Sequence, residues 1–146
     1  MSEITLKHLA PFLNIKVNSI IVHIEHKADI FRCINLIKNN GMKVGVALNS
    51  GTPICVLVEI LPEVNKELIM TINPGVVGQK MLLNSMAKIF KLKNWMANEP
   101  QLKNLKIIVV YGVKKENILI IQMLGAGYAV MGTQLFQNNC ITPILN

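Results

Sequence analysis

Residues 70–79, Met-Thr-Ile-Asn-Pro-Gly-Val-Val-Gly-Gln, carry the spacing best suited to binding chemistry. An apolar run, Leu68-Ile69, leads into them, and a long helical pattern beginning at Lys80 leaves them. A strand, a glycine-bearing turn and a helix would gather backbone N–H groups and a positive helix end around one point, which suits a phosphate. Lone glycine turns are common, so the spacing alone also fits a plain strand-to-helix connection. His23 ends another apolar run and could bind a ligand, although a lone histidine there is more often a packed or hydrogen-bonded residue. No second histidine stands at a dependable metal-ligand spacing from it.

The elements that would position these residues alternate. Leu6, Leu9, Phe12 and Leu13 predict a short amphipathic helix, with Pro11 tolerable near its first turn. Residues 20–24 read as a buried strand. Asp29 caps a helix carrying Ile30, Cys33, Ile34 and Ile37, and Gly41 ends it. Residues 43–48 form the next strand. Thr52-Pro53 signals a helix running to about Leu61. A third strand spans 67–72, and a helix follows over 80–97. Strands at 106–110 and 128–131 flank a helix over 114–124. The strands are continuous apolar runs rather than alternating ones, which predicts a parallel sheet covered by helices. No linker or low-complexity stretch interrupts residues 1–146, so one domain is the economical reading.

With 146 residues and 51% apolar content, the chain is long and apolar enough for a real core. No apolar run reaches the roughly 18 residues of a transmembrane helix, and the N-terminus lacks a signal-peptide pattern. Cys33, Cys55 and Cys140 are scattered, and the first two sit in apolar helical patterns as reduced core residues. These features predict a cytoplasmic protein. Net charge is +7, but the lysines are dispersed, Arg32 is the single arginine and aromatics are 5%. The chain is thus poorly stocked for stacking bases or reading them with guanidinium groups, and a solvated basic surface is favoured over nucleic-acid binding.

Taken in order, Ile21-Val22-His23-Ile24-Glu25, residues 41–49, Gly51-Thr52-Pro53, residues 70–75, Gly78-Gln79, Ala126-Gly127, Gly132-Thr133 and Phe136 resemble the ribulose-phosphate 3-epimerase family. The allulose-6-phosphate epimerases belong to the same group. The resemblance implies an α/β fold: part of an eight-stranded TIM barrel, the parallel strands corresponding to strands four to eight. It implies a phosphorylated ketose as ligand. The family uses a divalent metal (zinc, iron, manganese or cobalt) to steady an enediolate, and two aspartates as acid and base. The phosphate is held by backbone amides after the last three strands, in keeping with the general rule for such barrels. Carried onto this sequence, the phosphate positions are Gly75, Val76, Val77, Gly78, Gly112, Gly132 and Thr133. His23 and Met70 become substrate contacts, with His23 and Glu25 directed to the barrel mouth.

Two departures change the expectation. The first three strands, with the metal-binding histidines and one aspartate, have no counterpart here. At the second aspartate position stands Val110, which can neither move a proton nor bind a metal. Asp29, the single aspartate of the chain, lies at a helix start and cannot substitute. No catalytic residue, bound metal or cofactor is therefore expected. Val77 and Tyr111 add side chains where backbone should approach a phosphate closely. A partial barrel leaves two bare strand edges, which predicts self-association, a homodimer being the simplest case. The readings left are an epimerase-family polypeptide inactive alone and a non-catalytic phosphate-ligand or partner-binding module. No membrane or nucleic-acid partner is expected.

Overall fold

The computed structural model describes residues 9–15, 17–25, 29–73, 75 and 79–131. Five parallel strands form one sheet in the order of the chain: β1 (Ser19–His23), β2 (Lys43–Leu48), β3 (Lys66–Met70), β4 (Lys106–Val110) and β5 (Tyr128–Val130). Helix α1 (Ile30–Asn39) joins β1 to β2, α2 (Leu83–Asn98) joins β3 to β4, and α3 (Ile118–Met123) joins β4 to β5. This is the α/β arrangement that the continuous apolar strands imply, and it is consistent with part of a TIM barrel.

Register separates the sheet into two faces. Ser19 pairs with Lys43, Gly45 with Lys66, Lys66 with Lys106 and Ile108 with Tyr128. Since side chains alternate along a strand, these residues and every second one from them share a face. The opposite face holds Val22, Val44, Val46, Leu48, Ile69, Ile107 and Val109, all buried in the main core cluster. There α1 contributes Cys33, Ile34 and Ile37, and α2 contributes Ile89 and Leu92, in each case at helical spacing. The second face carries no such helix layer among the described residues, although Ala47, Met70 and Ile108 on it are buried. Tyr128 and Val130 on it are 50% and 49% exposed, and Ile21, Leu68 and Val110 are half-buried.

Local signals explain most of the boundaries. The Asp29 side chain accepts from the Arg32 amide at 3.2 Å, and Gly41 adopts φ 75° just past α1. Four expectations need correction. The helix expected over 52–61 is instead two 3-10 turns, Ile54–Leu57 and Leu61–Glu63. Its capping hydroxyl is drawn away to Glu25, and Pro62 and the β-branched Ile54, Val56, Val58 and Ile60 disfavour a continuous helix. The helix after β3 begins at Leu83 rather than Lys80, because Leu82 is extended (φ −78°, ψ 134°), with its amide donating to the Thr71 carbonyl at 2.8 Å. α3 shrinks to Ile118–Met123, since Asn117 ties back onto the Lys114 amide at 2.7 Å. Cys55 is exposed, because the segment holding it is not an amphipathic helix; Cys33 is buried as expected. Of the N-terminal helix, residues 9–14 are helical, and positions 6–8 lie outside the described residues, as does Cys140.

Candidate functional site

Loops following the strands bring together most of the described polar side chains that could act on a ligand. At the end of β1, His23 Nδ1 lies 3.1 Å from Glu25 Oε2, and Glu25 Oε1 accepts from the Asn49 amide at 2.7 Å. Burial pushes the Glu25 carboxyl up. Hydrogen bonds from the Asn49 amide, the Thr52 hydroxyl, its own amide and His23 outweigh that and hold it below its ordinary value. The carboxylate is thus a structural acceptor that pins the loop after β2 to β1.

Lys88 pins the same loop from the other side. Its Nζ donates to the carbonyls of Asn49 (3.1 Å), Ser50 (2.6 Å) and Thr52. Burial lowers its pKa, and the nearby Glu25 charge opposes that shift. Ser50 Oγ donates to Asn73 Oδ1 at 3.1 Å, and Gln79 Nε2 donates to the Asn73 carbonyl at 2.8 Å. The loops after β2 and β3 therefore form one connected network. Lys88 was not singled out in the sequence, although it sits three residues after the buried Ser85, on the sheet-facing side of α2.

After β3 and β4 the backbone turns through the left-handed region. Gly75 has φ 92° with open space around an added Cβ, so its conformation alone calls for glycine. Gly112 has φ 62°, and a Cβ there would meet the Met81 amide nitrogen at 3.2 Å, so the turn after β4 packs directly on the approach to α2. Tyr111 also has positive φ, 72°, and its carbonyl accepts from the Thr71 hydroxyl. Asn117 Nδ2 donates to the Gly112 carbonyl at 2.8 Å. The expected phosphate positions Gly75 and Gly112 thus lie on loops after adjacent strands. Val76, Val77, Gly78, Gly132 and Thr133 fall outside the described residues.

The helix after β3 begins at Leu83, so its first turn is further from Gly75 than the spacing implied, and Leu82 provides no side-chain cap. Met70 pairs with Val110, and Val110 with Val130, making an apolar row across the end of the uncovered face. His23 lies on this face too, opposite Ala47. Among the described residues no group of three His, Cys, Asp or Glu side chains could hold a metal ion. His23 and Glu25 offer two donors already bonded to each other, which does not fit a divalent metal centre. Also among the described residues, no helix is long and apolar enough to cross a membrane.

Comparison with known proteins gives this geometry its context. Residues 1–136 match the model of the "Ribulose-phosphate 3 epimerase family". Ribulose-phosphate 3-epimerase of Bacillus subtilis is 35% identical over 130 residues, 89% of this chain and 59% of that protein. The enzyme of Candida glabrata is 33% identical over 136 residues, 93% of this chain and 53% of that protein. The chloroplastic ribulose-5-phosphate-3-epimerase of Arabidopsis thaliana is 34% identical over 127 residues, 86% of this chain and 44% of that protein. The chain spans about half the length of the curated relatives it matches. On its sequence, and with a fold consistent with that match, this chain belongs to the ribulose-phosphate 3-epimerase family.

Proposed function

We propose that this chain binds the phosphate of a phosphorylated ketose and does not epimerise it alone. One observation carries the reading. Adjacent strands β3 and β4 both run into loops with a glycine of positive φ, while Val110, at the end of β4, sits in a row with Met70 and Val130. Backbone amides in such turns bind phosphate oxygens without any acid or base. Epimerisation additionally needs a base on one face of the substrate, an acid on the other and a charge to steady the enediolate. Valine supplies none of these. In this reading β1 to β5 take the places of strands four to eight of the family barrel, residues 1–146 act as one domain in the cytoplasm, and Val76, Val77, Gly78, Gly132 and Thr133 complete the phosphate cradle.

A second reading, a non-catalytic interaction module, is favoured by the sheet itself. β1 and β5 each have a partner strand on one side only among the described residues, which leaves edges able to pair with more polypeptide, a second copy included.

An NMR titration separates the two. Ribulose 5-phosphate should shift the amides of Gly75, Gln79 and Gly112, while ribulose should not. Absence of shifts at millimolar sugar phosphate would leave the interaction module.

A further inference from the structure

The uncovered face has a second charged feature, at the end of the sheet opposite the candidate phosphate loops. Lys43 opens β2, Lys66 opens β3 and Lys106 opens β4, and register places all three on that face. Lys66 reaches across Gly45 to donate to Ser19 Oγ at 2.7 Å; a Cβ on Gly45 would lie 3.1 Å from the Lys66 Cβ and 2.8 Å from Ile21, so glycine keeps this path open. Lys106 Nζ donates to the Tyr128 hydroxyl at 3.0 Å and stands 5.2 Å from the centre of its ring. That bond and the Lys106 charge, with smaller contributions from Lys66 and Lys43, pull the exposed phenol below its ordinary pKa. Three ammonium groups therefore act on one small area, and no carboxylate among the described residues of this face answers them.

Beyond the lysines the face is apolar: Ala47, Met70 and Ile108 are buried, Ile21, Leu68 and Val110 are half-buried and Val130 is exposed, and the outer edges of β1 and β5 are bare among the described residues. We infer that this face is a docking surface for an extended polypeptide segment that lays apolar side chains over Ile21, Leu68 and Val130 and sets carboxylates against Lys43, Lys66 and Lys106. Charge selects this occupant over the alternatives. A second copy lying face to face brings three more lysines and no carboxylate from its described open-face residues, so like charges oppose it. A nucleic acid would satisfy the lysines but would leave the apolar centre and the strand edges unfilled, with Tyr128 the single aromatic on the described face. The inference stands on the sheet and its charges, not on the sugar-phosphate reading, and its three lysines stand at the opposite end of the strands.

The test uses the full chain and three probes: a soluble strand-forming peptide in which valine alternates with glutamate, its lysine counterpart, and an oligouridylate RNA. The glutamate peptide should shift the amides of Leu68, Lys106, Ile108 and Tyr128, and added salt should weaken it. Lys66→Glu with Lys106→Glu should weaken that peptide on the order of tenfold and admit the lysine peptide. Lys43→Glu, at an exposed strand start, should act in the same direction and serves if the double variant misfolds. Equal binding of both peptides, or no shift from any probe at millimolar concentration, overturns the inference. A dimer in sedimentation with these amides protected would assign the face to a second copy, and tighter RNA binding would assign it to nucleic acid.

Discussion

The two faces of the sheet are built from the same kind of strand but end in different states. On the helix-covered face Val44, Val46, Ile69, Ile107 and Val109 are buried against α1 and α2. On the other face residues from the same strands, Leu68 and Val130 among them, keep part or half of their surface in water. The covered face tolerates one violation: Glu67, between Val46 and Ile107, is 0% exposed, and neither of its carboxyl oxygens has a hydrogen-bond partner among the described residues. The open face tolerates three lysines. The contrast teaches that apolar strand content sets how much surface needs hiding, while α1 and α2 hide one face more completely than the other among the described residues.

Paired substitutions measure that contrast. Ile69→Ala should cost about 2–5 kcal/mol in chemical denaturation, since it opens a cavity in a packed layer. Leu68→Ala, one residue along but on the open face, should cost less than about 1 kcal/mol. Equal losses would mean that the two faces are packed alike.

Glu67 gives the next largest effect. Burial, and then the Glu25 charge, raise its pKa well above the ordinary 4.5, so folding favours the neutral form of this carboxyl. Its contribution is fully present below 4.5 and is lost as pH rises from there through the folded value, because the unfolded chain releases the proton first. Glu67→Leu should therefore stabilise the chain at neutral pH by about 1–3 kcal/mol, and Glu67→Gln should flatten the pH dependence. A destabilised Leu variant would show that the carboxyl has a partner.

Lys88→Met removes one donor from three carbonyls of the loop after β2. We expect a loss of about 1–3 kcal/mol and faster hydrogen exchange at residues 49–52. The smallest effect belongs to Tyr111, a non-glycine residue held at φ 72°. Tyr111→Gly should stabilise by about 1 kcal/mol, as the left-handed conformation then carries no Cβ penalty. A loss of stability would show that the ring packs on something that outweighs the strain.

Much of this was legible in the residues. The strand at 106–110 and the Asp29 and Gly41 ends of α1 follow from local chemistry. The Thr52-Pro53 helix signal failed because the competing acceptor, Glu25, lies far along the chain. The late start of α2 was not legible either, since the extended backbone of Leu82 is held across the loop against Thr71. Glu67 left no warning, because a single acid at the head of an apolar run reads as a strand entering from solvent. Lys43, Lys66 and Lys106 looked dispersed along the sequence, and only strand register gathers them. Of the candidate site, Gly75 and Gly112 were named correctly as turn residues, whereas Lys88 was missed, its carbonyl partners being supplied by a loop over thirty residues away.

The most direct test of the central claim, that the loops after β3 and β4 can hold a sugar phosphate but the chain cannot move its protons, is a proton NMR spectrum of ribulose 5-phosphate incubated with the pure chain in deuterated buffer, with zinc, iron, manganese or cobalt supplied in turn. The account predicts that the hydrogen at carbon 3 persists at the rate seen without protein under every metal. Metal-dependent exchange of that hydrogen for deuterium, abolished by His23→Ala, would contradict it.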